Sequence, residues 1–491
     1  MQRWADAVAG ASDPAFLPAK RQAALIRRRA IGCVELLDHY IARVEAHDPR
    51  INAVVVRDFE RARASAKKLD RSKAPLGPLH GVPMTVKESF DVAGLPTTWG
   101  IEAKRESIAA ADALAVARLK AAGAVVFGKT NVPVMLADWQ STNPVYGSTG
   151  NPWDLERSPG GSSGGGAAAL CAGLTGLEIG SDIGGSIRQP AHACGLFGHK
   201  PTWGLLPAYG HSYMPGIAAM TDISVIGPLA RSADDLSIAL GLLAIPDPAE
   251  TAMTYDLPAP RIKTIAGLRV AVWAADPATQ TDNETTAALE ALGRHLKREG
   301  ARVGFTARPQ FEARAAFDLY LQLLEAALSS RASPEDKERR AAHAKTFSED
   351  DKSAAAVMAR SGLIGHGEYL MLNERRHRIR RAWGAFFRDW DVLICPAFGI
   401  PAQKRADLAK PGEWSAEING ETVSAAELLF WPGLIGGFHL PATAAPLGLT
   451  PAGLPIGAQI VGPLYGDRTT IAVAGMLEKS WRAFEPPPGW T

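Results

Sequence analysis

The chain reads as an α/β fold, one large unit of alternating strands and helices, and three observations predict it. Strand-like and helix-like segments alternate through the first half. Two glycine-rich turns interrupt an apolar run at 160–188, and strand character returns after a charged helical stretch. With 491 residues, 46% of them hydrophobic, the chain can bury a large core. Length alone suggests about two or three domains. The alternating elements nevertheless read as one large α/β unit over residues 1–491 with a helical insertion, and no internal repeat is seen.

The elements follow in order. Ile26, Val34, Leu37, Ile41 and Val44 recur at helical spacing with Glu35, Asp38, Arg43 and Glu45 between them, which predicts an amphipathic helix packed on the outside. Residues 51–56 and 82–87 read as strands, with Lys87 near the end of the second. Residues 114–122 read as a helix, 124–127 as a buried strand, 167–172 as a small-residue helix and 177–179 as a short strand. Composition changes near Pro258. Residues 268–272 look like a strand, and charged helical sequence follows, with Ser333 as an N-cap and Pro334 at the first helical position. The basic run Arg375-Arg376-His377-Arg378 is interleaved with Leu372, Ile379 and Trp383, the pattern of a solvated helix face rather than a nucleic-acid contact. Residues 391–396 and 456–462 return to strand.

Fifty-three basic and 51 acidic residues leave a net charge of +2, which gives no polyanion a reason to bind. Cys33, Cys171, Cys194 and Cys395 are scattered without the close pairs of a zinc site or a disulfide framework, so reduced, mostly buried thiols are expected. Residues 1–10 lack a basic segment followed by an apolar one, and nowhere do about 18 uncharged apolar residues run together. A soluble, cytoplasmic protein is expected.

Three motifs compete for the chemistry. Gly123 to Thr130 formally fits a phosphate-binding loop, but Ala124 to Phe127 are apolar and β-prone where an NTPase needs exposed N–H groups. Gly160-Gly161-Ser162-Ser163-Gly164 fits the nucleophile elbow of an α/β-hydrolase-type esterase, with Ser162 attacking. That reading needs a base among His192, His199, His211, His343, His366, His377 and His439, none of which its context singles out. The third reading joins Lys87, Ser162 and Ser186. Glycine flanks expose a serine beside unshielded N–H groups, as acyl transfer requires.

On the third reading the chain resembles the amidase signature family. The matching residues are His80-Gly81-Val82-Pro83 through Lys87-Glu88, Gly128-Lys129-Thr130-Asn131, Gly160 through Gly165, Asp182 through Arg188, and Gly195 through Lys200-Pro201-Thr202. The likeness runs from Glu35-Leu36-Leu37 to Gly453 through Gly457 and is weakest in a helical, more variable insertion at about 270–380.

The resemblance implies an α/β/α sandwich around a large mixed central sheet. It makes Ser186 the nucleophile, Ser162 the bridging serine after a cis peptide bond, and Lys87 the base. A lysine accepts a proton only when neutral, so its pKa must fall from about 10.4 towards roughly 7 to 8; Val82, Met84 and Val86 could supply part of the apolar setting. Ile183, Gly184, Gly185 and Ser186 would supply the N–H groups of an oxyanion hole. Asp182 and Arg188 would fix that loop, while Ser163 would either hold the lysine or satisfy backbone.

No metal or organic cofactor is implied. The expected reaction is hydrolysis of a linear amide through a seryl acyl-enzyme. The family also contains glutamine-dependent amidotransferase subunits. At Asp138-Trp139-Gln140-Ser141-Thr142-Asn143 this chain departs from a common family pattern of small residues and a glutamate, which favours a small apolar or aryl-containing amide over glutamine. Trp139, Tyr146, Trp203, Trp431 and Phe438 are the expected pocket residues. The expected partner is a small-molecule amide, with neither nucleic acid nor membrane, and a homodimer is left open.

Overall fold

The computed structural model describes residues 13–260, 262–405 and 414–490. Three strands, β1 (Val54–Arg57), β2 (Pro83–Lys87) and β3 (Val125–Thr130), form a small sheet in the order β1-β3-β2, with β2 and β3 parallel. Every residue of β2 and β3 is buried, the signature of strands covered on both faces. A two-residue hairpin, β4 (Thr142–Asn143) and β5 (Gly147–Ser148), precedes the serine loop.

The central sheet draws on β6 (Glu178–Asp182), β7 (Phe197–Lys200), β8 (Val225–Ala230), β9 (Arg269–Val272), β10 (Arg302–Gly304) and β11 (Val392–Pro396). After a separate hairpin of β12 (Ser415–Ile418) and β13 (Glu421–Ser424), β14 (Ala442–Leu449) and β15 (Pro455–Val461) complete it. The eight strands run β10-β9-β11-β15-β14-β7-β8-β6, parallel across β10-β9-β11 and antiparallel beyond, so the sheet is mixed.

Period-two alternation sends the two faces of this sheet into separate cores. Val270, Val272, Val392 and Ile394 pack with Leu289, Leu292 and Leu296 of the helix Asn283–Arg298 and with helices Ala233–Leu243 and Asp467–Ser480. Ala271, Leu393 and Cys395 face the other way, against helices Ala313–Ser329, His366–Asp389 and Phe430–Gly436. Helices thus cover both faces, as the sequence predicts. Among the described residues no helix is long and apolar enough to cross a membrane.

Several expectations need correction. The first predicted helix is two, Ala19–Arg27 and Cys33–Ile51, broken where Arg29 takes φ +57°. The region 270–380 is not uniformly an insertion: β9, β10 and the helix between them belong to the central sheet and its cover. The helical part of this region runs from Ala313 to Asp389 and packs on the opposite face of that sheet. In the basic run, Arg375, His377 and Arg378 are exposed, but Arg376 is buried on Asp222 at 2.7 Å. The phosphate-loop reading fails because Gly128, Lys129 and Thr130 lie inside β3, with the Lys129 amine on the Pro96 carbonyl and Thr97.

Candidate active site

The two sheets meet where the Thr85 N–H reaches the Leu177 carbonyl (3.3 Å), beside β6. This seam sets Lys87, the last residue of β2, beside Ser181 and Asp182 at the end of β6. The serine loop enters from a third direction, just before the helix Gly164–Cys171, and its Gly161–Ser162 peptide bond is cis. Gly161 is obligatory: a Cβ there would stand 2.5 Å from the Asp138 carbonyl.

Lys87 is wholly buried, and its Nζ lies 2.7 Å from Ser162 Oγ and 2.9 Å from Ser181 Oγ. Burial drives its pKa down to about 7, against the opposing pull of Asp182 and Glu178. Val82, Met84 and Val86 do not face this amine, because strand alternation turns them into the core on the opposite side of β2. Nearby, His211 is wedged between Phe90 (4.5 Å) and Trp99 (5.0 Å), with Nε2 3.0 Å from Ser89 Oγ. Burial and then the Lys87 charge hold His211 neutral, near a pKa of 3.

Ser163 takes the second of its two sequence-level roles. Its hydroxyl donates to the Ser181 carbonyl (3.3 Å), its N–H donates to the Ser186 carbonyl (3.3 Å), and the lysine is held by Ser181 instead. Ser181 accepts more strongly from an ammonium than from a neutral amine. Ser181→Ala should therefore move the acid limb of kcat/KM to lower pH, which a pH–rate profile beside the parent chain checks.

Asp182 organises the turn that carries Ser186. It accepts from the N–H of Gly185 (3.0 Å) and Ile187 (3.1 Å) and from the Arg188 guanidinium (2.8 and 3.0 Å). Burial opposes its ionisation, but Arg188 and Lys200 hold its pKa near 2. One expected oxyanion donor is thereby removed, since the Gly185 N–H already belongs to Asp182. The N–H groups of Ile183, Gly184 and Ser186 meet no acceptor among the described residues. The Ser186 hydroxyl is likewise without a hydrogen-bond partner among them, and the residue retains 5% exposure.

The expected pocket residues separate. Trp139 is half-buried, edge-on to Phe398 (4.8 Å) and Trp414 (6.0 Å), and its indole N–H donates to the Gly184 carbonyl (3.1 Å). Trp203 stacks on His439 at 4.6 Å. Tyr146 donates to Glu88, the residue after Lys87, at 3.2 Å. Trp431 and Phe438 are corrected to core: Trp431 is 2% exposed with its N–H on Thr281 Oγ1, and Phe438 is fully buried against Phe311. Among the described residues no histidine bonds the Ser162 hydroxyl, whose partner is Lys87. His192, His199 and His439 are engaged in packing networks with Ile400, Asp467 and Asp222.

Sequence reasoning did not single out Ser181, Gln189, Tyr320 or Glu178. Gln189 accepts from the Gly161 N–H (3.0 Å), tying the two serine loops together. Glu178 takes the hydroxyls of Thr85 and Thr130, and burial pushes its pKa up to about 8. Among the described residues no group of three or more His, Cys, Asp or Glu is placed to hold a metal ion.

A family model described as Amidase matches residues 35–471. An indoleacetamide hydrolase of Bradyrhizobium diazoefficiens is 33% identical over 470 residues, covering 93% of this chain and 85% of the relative. A glutamyl-tRNA(Gln) amidotransferase subunit of a Synechococcus strain is 31% identical, covering 92% of this chain and 94% of the relative. Among solved structures, 6-aminohexanoate cyclic dimer hydrolase complexed with substrate superposes with a TM-score of 0.78 at 28% identity, covering 97% of this chain and all of the other.

Proposed function

Because the chain belongs to the amidase signature family and acts on amide C–N bonds, we propose that it is a stand-alone amidase for a small apolar or aryl-containing amide. The observation that carries the mechanism is the buried Lys87 amine, poised near pKa 7 and 2.7 Å from the Ser162 hydroxyl.

In this mechanism the Ser186 oxygen attacks the amide carbon while its proton passes to Ser162, whose own proton goes to neutral Lys87. The Ser181 hydroxyl keeps one amine N–H occupied, which turns the lone pair towards Ser162. The carbonyl electrons move onto oxygen, where the Gly184 and Ser186 N–H groups, with Ile183, stabilise the charge. Collapse breaks the C–N bond, and the proton returns from Lys87 through Ser162 to the departing amine. Water then repeats the sequence on the acyl-enzyme and releases the carboxylate.

Two features support an apolar substrate. Aromatic surface stands at the base, where Trp99 packs on His211 beside Lys87. Glutamine carries a carboxylate that would need a cation. Arg188 is filled by Asp182, Gln459 and the Pro432 carbonyl, and Arg376 by Asp222 and Asn373. The relative named an indoleacetamide hydrolase makes indole-3-acetamide a natural probe. The isolated chain should show a higher kcat/KM for indole-3-acetamide than for an aliphatic primary amide or glutamine. A preference for glutamine, or activity only with ATP, aminoacyl-tRNA and added subunits, would instead make this an amidotransferase component.

A further inference from the structure

The turn before Ser186 is fastened by its carbonyls. The Tyr320 hydroxyl donates to the Ile183 carbonyl (3.1 Å), the Trp139 indole N–H to that of Gly184 (3.1 Å), the Gln189 N–H to that of Gly185 (2.7 Å), and the Ser163 N–H to that of Ser186 (3.3 Å). Each peptide unit is planar, and in its trans form the C=O and the following N–H point in opposite directions. A donor on the Ile183 oxygen therefore sets the direction of the Gly184 N–H, which has no acceptor of its own among the described residues. A donor on the Gly184 oxygen sets the next plane, whose N–H is received by Asp182.

Tyr320 is built into this place rather than merely near it. It belongs to the helix Ala313–Ser329, more than a hundred residues from the turn, and its ring is fully buried. The ring lies against the helix Phe430–Gly436 and the residue after it. A Cβ on Gly433 would come within 2.3 Å of the ring and one on Gly437 within 2.8 Å. Two glycines four apart lower helix propensity, and here they make the seat in which the tyrosine reaches the turn. Burial raises the phenol's pKa well above its ordinary value, so it stays a donor at every working pH. Trp139 approaches from the other side, its ring held between Phe398 and Trp414.

We infer that Tyr320 and Trp139 are positioning residues for the acyl-transfer step: Tyr320 fastens the Ile183 carbonyl and so aims the Gly184 N–H at the developing oxyanion, while Trp139 fastens the next plane, at the Gly184 carbonyl, and keeps that turn from rotating. This rests on the seryl acyl-enzyme reading above. The two side chains touch neither Lys87 nor the serine hydroxyls, so they act on transition-state charge and not on proton transfer.

The test uses Tyr320→Phe and Trp139→Phe in the full chain, each keeping an aromatic ring and losing the donor. With indole-3-acetamide, kcat should fall about ten- to a hundredfold in each while KM changes little, since a misaimed donor weakens only the transition state. Affinity for an arylboronic acid, which forms a tetrahedral anion on the serine, should fall by the same factor as kcat. Affinity for the indole-3-acetate product should hold, and the acid limb near pH 7 should not move. If kcat is retained in both variants, or if product and boronate affinities fall together, positioning is wrong and the contacts only pack the core. Fluorophosphonate labelling of the parent chain separates this failure from the larger one. A label on Ser186 with kcat intact in both variants sinks this inference alone, whereas a label elsewhere removes the seryl reading and this inference with it.

Discussion

Ser186→Ala should abolish covalent labelling by a serine-directed fluorophosphonate and reduce amide turnover by a factor on the order of 10⁴ to 10⁶, the range for loss of a catalytic nucleophile. The expectation rests on position. Ser186 is the serine at the end of the turn whose N–H groups without an acceptor among the described residues belong to Ile183, Gly184 and Ser186, whereas Ser162 has its oxygen occupied by Lys87 at 2.7 Å. The variant should fold as the parent does, because the Ser186 hydroxyl has no partner to lose among the described residues and the Ser163 bond goes to its backbone carbonyl. Peptide mapping of the labelled parent should find the adduct on Ser186. An adduct on Ser162 that survives Ser186→Ala would reverse the roles of the two serines.

The parts of the site that were legible in the sequence are those where one short segment does one job. Lys87 ends a strand, and two glycine-rich turns carry Ser162 and Ser186, so local pattern was enough to pick them out. The Gly185 donor was misread because Asp182, three residues earlier, competes for its N–H. An aspartate that folds back onto following N–H groups is itself a local pattern, so that signal was available. The same holds for Trp431 and Phe438. With Leu434 and Ile435 they fall at i, i+3, i+4 and i+7, the spacing of a buried helix stripe, and all four are 2% exposed or less.

Tyr320 was beyond local pattern. It bonds a residue 137 positions away, and its helix shows only the amphipathic spacing of any packed helix. The fold was legible in kind because strand and helix periods differ, and two-faced strands such as 269–272 sort their side chains between two cores. Strand order was not, since it depends on which edges meet, and the site exists only because β2 meets β6. The aromatic content of a segment does not say whether rings line a cavity or fill a core; that is decided by which helix lies opposite.

Lys87→Ala should lose about 10² to 10⁴ in kcat/KM, the contribution of a positioned general base, and should also erase the acid limb of the pH profile. The sign follows from the chemistry. Lys87 works as the neutral amine, and with its pKa near 7 the neutral fraction falls tenfold for each pH unit below that value and saturates above it. Activity should rise through a single limb centred near pH 7 and then level. The charged groups that face this amine are Asp182 and Glu178, both of which oppose the shift, so burial is its cause. Asp182 is ionised throughout the working range, and Glu178, pushed up to about 8 by burial, opposes the shift only as it ionises. His211, held near pKa 3 beside this site, stays neutral and adds no second limb. Lys87→Arg makes the sharper control, since a guanidinium keeps the charge and cannot release it; it should be as inactive as alanine at every pH. Measuring kcat/KM for indole-3-acetamide from pH 5 to 9 in the three chains decides the assignment. A limb near 7 that persists without Lys87, or that vanishes on replacing His211 while Lys87→Ala keeps the parent rate, would place the base elsewhere.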